Sequence, residues 1–154
     1  HPDLIPILDK VDKHLQEKKQ EEAVNFLTSK TEEYPEDYEL LKQLSILFAR
    51  IDKYRLAVEK GLRYIEFVPS DTVFFYRLAT FCKMANEFII GIEIAERLRL
   101  REPQNLNNLL NLIDLYSLRQ NHRRAEELLQ YYLKLDPSNP IALNLRDEIK
   151  KRKS

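Results

Sequence analysis

The stretch Leu106–Asn139 reads LNNLLNLIDLYSLRQNHRRAEELLQYYLKLDPSN. Within it, Leu109, Leu112, Ile113 and Tyr116 fall at i, i+3, i+4 and i+7, one face of a helix with a 3.6-residue period. The polar pair Gln120-Asn121 breaks the pattern near its middle. Pro137 closes it, because the residue before a proline is pushed out of the α region. The stretch therefore reads as two helices of about 14 residues joined by a tight turn.

The same reading extends outward along the chain. Pro35, Pro69, Pro103 and Pro137 are spaced by 34 residues. Twelve residues before each stands a small residue: Ala23, Ala57, Gly91 and Ala125. Ile7, Leu41, Phe75 and Leu109 keep the same interval and are all large and apolar, whereas Val11, Ser45, Ala79 and Ile113 form a weaker set. Leu41, Leu44, Leu47 and Phe48 repeat the helical stripe one unit earlier. Polar breaks recur at Glu17-Lys18-Lys19, Asp52-Lys53 and Asn86-Glu87. Asp and Asn tolerate left-handed backbone, so they replace glycine at these turns. A fixed period of this length is the mark of a repeat architecture. The units are 4–37, 38–71, 72–105 and 106–139. The remainder, 140–153, reads as a further helix with Asn139 as N-cap and Pro140 in its first turn. Ile141, Leu145 and Ile149 make its apolar stripe, and Arg146, Lys150 and Lys151 its polar face. Such a one-sided helix suits the end of an open stack.

Composition narrows the function. The chain has 154 residues, 44% apolar and 32% charged, which predicts a folded core rather than disorder. Lys plus Arg and Asp plus Glu both total 25, and the absence of excess cation speaks against sequence-independent nucleic-acid binding. With two glycines in 154 residues, a glycine-rich phosphate loop is excluded. No apolar run approaches the ~18 residues of a membrane span. Cys82 is alone, so no internal disulfide forms, in keeping with a cytoplasmic location. The chain opens on His1 rather than Met, as expected of a fragment or processed form. Its first apolar stretch, broken by Pro6 and Asp9, is no signal peptide.

Catalytic chemistry finds no support. His1, His14 and His122 share no helical face, and no Cys or His pair has zinc-ligand spacing. Cys82 sits where other units carry Phe48 and Tyr116, so it reads as a buried apolar residue without a base to activate it. The expectation is a non-enzyme without cofactor or metal.

The lattice resembles the tetratricopeptide repeat (TPR) family. That family's order is a large residue, a Leu, a small residue, a Tyr, an Ala, an aromatic and a Pro. The fourth unit matches it best, with Leu109, Leu112, Ile113, Tyr116, Ala125, Leu129 and Pro137. The first unit matches least well: Ile7, Lys10, Val11, His14, Ala23, Leu27 and Pro35. Departures are the lack of Trp, the lack of a turn glycine, and small Gly61 and Ala95 at a position that is usually bulky. The resemblance implies an all-α, right-handed superhelical solenoid of antiparallel helix pairs, one domain over 1–154. The first helix of each pair would line a concave groove.

The resemblance also implies which positions face that groove. They include Lys42, Gln43, Ile46 and Arg50 in the second unit, Val73, Tyr76, Arg77, Thr80 and Lys83 in the third, and Asn107, Leu110, Asn111, Asp114 and Ser117 in the fourth; in the first they are mostly Ile5, Leu8, Asp9 and Asp12. Asn donates and accepts together, so Asn107 and Asn111 suit an extended peptide backbone. Tyr76 offers a rigid apolar face, and Arg77 a bidentate partner for a carboxylate. Chaperone-binding members hold a C-terminal carboxylate with Lys and Asn, then Asn, then Lys and Arg. Here only Lys42 matches; Ile46, Arg77, Asn107 and Asn111 stand at the other positions, so no such clamp is expected. The implied function is a protein-interaction module binding a peptide or helix of a partner protein, with no nucleic acid and no membrane insertion. The alternative is a self-assembling scaffold, a homo-oligomer joined head to tail. Residues 1–37 carry ten acidic and five basic groups, net −5, and residues 140–154 five basic and two acidic, net +3.

Overall fold

The computed structural model describes residues 2–154. The helices are α1 (Leu4–Gln16), α2 (Gln20–Glu33), α3 (Tyr38–Arg50), α4 (Tyr54–Phe67), α5 (Thr72–Met84), α6 (Phe88–Arg101), α7 (Leu106–Leu118), α8 (His122–Leu135) and α9 (Pro140–Lys153). No strand occurs among the described residues. Helices α1, α3, α5, α7 and α9 begin at the 34-residue interval read from the prolines.

The turns explain the helix pairs. Lys18, Asp52, Asn86 and Gln120 all take positive φ, between 59° and 70°. Each left-handed residue folds the chain back so that the next residue's amide reaches the end of the first helix. Lys19 N donates to His14 O, Lys53 N to Phe48 O, Glu87 N to Cys82 O, and Asn121 N to Tyr116 O, at 2.8–2.9 Å. This is the six-to-one bond of a Schellman turn, built without glycine. Lys18 and Gln120 adopt it too, so the repeat frame overrides the preference for Asn or Asp. The second helix of each pair stops two residues before its proline. The intervening Tyr34, Val68, Glu102 and Asp136 have φ between −124° and −145° and ψ near 70°, as a following proline demands.

The helices group into two compact units, His1–Asp71 and Thr72–Ser154. In the first, α1 packs on α2, α2 on α3 and α3 on α4. Its core holds Val11, Ala23, Leu27, Leu40, Leu44, Leu47, Ala57 and Ile65. Leu40 is fully buried, while Leu41, on the sequence lattice, is half-buried. Ser45 buries its hydroxyl by donating to Ala57 O at 2.6 Å.

In the second unit, α5 packs on α6, α6 on α7, α7 on α8, and α9 against both α7 and α8. Small residues mark close helix crossings. Ala95 and Ala125 are fully buried. A Cβ on Gly91 would lie 3.0 Å from Leu115 Cδ2 and 3.1 Å from Cys82 Cβ, so a neighbouring side chain would have to give way. The small Ala95 leaves its carbonyl within reach of buried Asn108, whose Nδ2 donates to it at 3.0 Å. The apolar stripe of α9 differs from the sequence reading. Ala142 and Ile149 are buried and Leu145 half-buried, but Ile141 is 63% exposed.

Candidate peptide groove

Helices α7 and α9 owe their starts to side-chain caps. Asn105 Oδ1 accepts from Asn108 N at 3.0 Å and begins α7. Asn139 Oδ1 accepts from Ile141 N and Ala142 N at 2.9 and 3.2 Å and begins α9, with Pro140 at its first position. Glu102 ties the preceding turn to α5 by accepting from Thr72 and Asn105, which holds its carboxyl below the usual range.

In the second unit these helices enclose an open groove of about 350 Å³. Tyr76 and Lys83 of α5, Asn107, Leu110, Asn111 and Asp114 of α7, and Ile141, Asn144, Leu145, Glu148 and Arg152 of α9 line it. Six of the expected residues are therefore brought together: Tyr76, Lys83, Asn107, Leu110, Asn111 and Asp114. Val73, Arg77 and Thr80 stand on α5 but outside this groove. Val73 and Arg77 are exposed, and Thr80 bonds its hydroxyl to Tyr76 O at 3.1 Å.

The charges in the groove are already matched. Asp114 accepts from Arg152 Nη1 at 2.7 Å through Oδ1 and from Lys83 Nζ at 3.2 Å through Oδ2. Arg152 also reaches Ser117 Oγ at 3.2 Å. The three charged side chains are 22–29% exposed, so solvent screens the cluster only partly. Asp114 thus braces three helices, α5, α7 and α9.

Asn111 is different. It lines the groove, is 6% exposed, and its Nδ2 is sealed from solvent with no hydrogen-bond partner. A buried donor without a partner costs about 1–3 kcal/mol.

In the first unit the expected groove residues are engaged locally. Lys42 Nζ lies 3.0 Å from Glu39 and 3.4 Å from Asp71, beside the Tyr64 ring. Tyr64 donates its hydroxyl to Asp71 at 2.6 Å, and burial followed by Asp71 pushes the phenol above its ordinary range. Gln43 donates to Glu39 at 3.0 Å, and Ile46 is half-buried. Arg50 Nη1 donates to Asp12 at 2.9 Å.

Sequence reasoning missed Ile141, Asn144, Leu145, Glu148 and Arg152. The signal was present. Counted from Pro140 they occupy the second, fifth, sixth, ninth and thirteenth positions, the register that placed the other groove residues. Taking 140–153 as a terminal shield hid the match.

Cys82 is fully buried, and burial, with Glu87 next, pushes its thiol up to about 12. That is the reverse of an activated nucleophile.

No protein-family model matches the chain, and no curated protein matches it in sequence. Solved structures do match in fold. A tetratricopeptide repeat protein from Parabacteroides merdae superposes with a TM-score of 0.77 over 96% of this chain at 16% identity. The chain spans 59% of that protein's length. YrrB, described as a TPR protein with an unusual peptide-binding site, gives 0.75 over 92% of this chain and 73% of its own, at 15% identity. The second TPR domain of human RPAP3, solved with the HSP70 peptide SGPTIEEVD, gives 0.63 over 71% of this chain and 92% of its own, at 16% identity. The protein thus has the tetratricopeptide-repeat fold. No described helix is long and apolar enough to cross a membrane.

Proposed function

We propose that this protein is a non-catalytic interaction module that holds a segment of a partner protein in the groove of α5, α7 and α9. The single observation that carries this is Asn111: a buried, unpartnered amide donor on the wall of an open groove. Buried polar groups are ordinarily paired, and of the unpartnered ones among the described residues only Asn111 lines this groove, where a ligand can complete it. Tyr76 and Asn107 flank it with a rigid ring and a second amide. The fold neighbours YrrB and RPAP3, described with peptides, support the same use of the fold. Lys42 and Gln43 serve the first unit's own packing in this proposal. Val73, Arg77 and Thr80 form a rim on α5.

Self-association through the ends is the second reading, favoured by the acidic first repeat and basic last helix. The structure spends part of that basic charge internally. Arg152 is bound to Asp114 and Lys153 to Glu126 at 2.7 Å, while Lys151 lies 3.5 Å from Glu148.

The test compares capture of partner proteins by the parent chain and by a Tyr76→Ala, Arg77→Glu, Asn111→Ala variant of equal helicity. Partners held by the parent alone support groove binding. Identical capture sinks it, and recovery of only the chain itself, abolished by high salt, transfers the function to self-assembly.

A further inference from the structure

The same groove also carries information on what kind of segment it holds. This step rests on the function proposed above and concerns the chemistry of the ligand. Its charged groups number four: Lys83 and Arg152, Asp114 and Glu148. They sum to zero, and both cations are bonded to Asp114. Neither cation of the lining is without an anion. The remaining surface is apolar or amide: Tyr76, Leu110, Ile141 and Leu145 with Asn107, Asn111 and Asn144. Ile141 is 63% exposed on a helix whose outer face is charged, at a position that its own packing does not need.

We infer that the groove of α5, α7 and α9 binds an extended, uncharged peptide segment with apolar side chains, inserted from within a partner's chain rather than by its C-terminal carboxylate. The segment seats an apolar side chain on Ile141, Leu145 and Leu110. One of its backbone carbonyls accepts from Asn111 Nδ2. The terminal torsion of an Asn side chain is broad and roughly two-fold, so a half-turn brings Nδ2 into the groove. The turn exchanges the two heteroatoms of the amide: Nδ2 leaves a sealed place where it has no partner, and Oδ1 takes that place. The groove's about 350 Å³ is at the small end of ligand pockets, which fits a few side chains and not a folded domain. The ion cluster of Asp114, Lys83 and Arg152 closes one end, and with Glu148 it leaves the lining without net charge, so an acidic segment gains no net attraction there. Helix α9 is thereby a wall of the site, not only a shield for the core.

The experiment uses the whole 154-residue chain and two pools of fluorescein-labelled nonapeptides. One pool is blocked at both ends, with Leu, Ile, Val and Phe alternating with Ser. The other is rich in Asp and Glu and ends in a free carboxylate. Binding is read by anisotropy. The blocked apolar pool is expected to bind at least tenfold more tightly than the acidic pool. Ile141→Glu, at an exposed position that leaves the core intact, is expected to weaken the apolar pool at least tenfold. Asn111→Leu is expected to weaken it at least fivefold while melting no lower than the parent, since an orphan donor has been removed. Tighter binding of the acidic pool, binding of neither, or indifference to Ile141→Glu overturns the inference. Groove-dependent capture of partner proteins together with preference for the acidic pool would leave the proposed function standing and remove only this ligand class.

Discussion

Arg152 donates to Asp114 across 2.7 Å from 38 residues further along the chain, one repeat plus one helical turn. Arg50 meets Asp12 at the same separation, 2.9 Å apart. The intervening repeats place Ile46 with Met84 and Thr80 with Leu118 at these positions, and those side chains cannot pair in this way. The ion pair is therefore a device of the first and last groove-facing helices, and at Asp114 it is reinforced by Lys83 at 3.2 Å.

That arrangement predicts the effect of neutralising Asp114. Asp114→Asn leaves Lys83 and Arg152 without their anion. Loss of charge-assisted bonds at a partly buried site costs about 1–2 kcal/mol, seen as a lower urea midpoint. The freed cations should also reverse ligand choice, so the acidic peptides bind the variant several-fold more tightly than the parent. Unchanged stability and unchanged acidic-peptide binding would show that the cluster is inert.

The turns predict a gain. Gln120 has φ 70°, a region that an L residue occupies at a cost and glycine freely. Gln120→Gly should stabilise the chain by about 0.5–1 kcal/mol, net of glycine's greater freedom when unfolded. Gln120→Val, β-branched, should destabilise it. Thermal melts of the three chains decide the order, and a Gly variant less stable than the Val variant would contradict the turn geometry.

Cys82 predicts a pH response. Its thiol ordinarily ionises near 9.0 and is pushed up to about 12 by burial. A group raised on folding lends stability that is fully present below the unfolded value and is lost as pH climbs through the folded one. Unfolding midpoints should therefore fall between about pH 9 and 12, and less steeply in Cys82→Ala, in which Tyr64 and Tyr132, also raised, still titrate. Iodoacetamide at pH 8 should leave the native thiol untouched and label it fully in urea. Rapid native labelling would place Cys82 outside the core.

The helix crossings predict a penalty for bulk. Ala125 is fully buried at the start of α8. Ala125→Leu should overpack the crossing and cost roughly 1–3 kcal/mol. An unchanged denaturation midpoint would show that the small residues at 23, 57, 91 and 125 are not set by space.

Much of this architecture was legible before any coordinates. Pro35, Pro69, Pro103 and Pro137 end their helices for a local steric reason, and a local cause is visible in the residues beside it. Asn139 and Pro140 foretold the start of α9 in the same way. The site was only half legible. Tyr76, Asn107, Leu110, Asn111 and Asp114 emerged from register alone, because a helix's periodicity decides which side chains share a face. Their availability did not. Lys42 and Asp114 were expected to face a ligand; Asp114 is bonded by residues 31 and 38 positions away, and Lys42 by Glu39 nearby and Asp71 29 positions on.

The sequence by itself determined the repeat, the helix ends, the turns and the faces, since each follows from interactions within a few residues. Tertiary structure alone decided that Asp114 braces Lys83 and Arg152 and that Asn111 keeps an unpaired donor. Those outcomes depend on which side chains meet across separate helices, and such meetings are settled only when the packed core sets the distances.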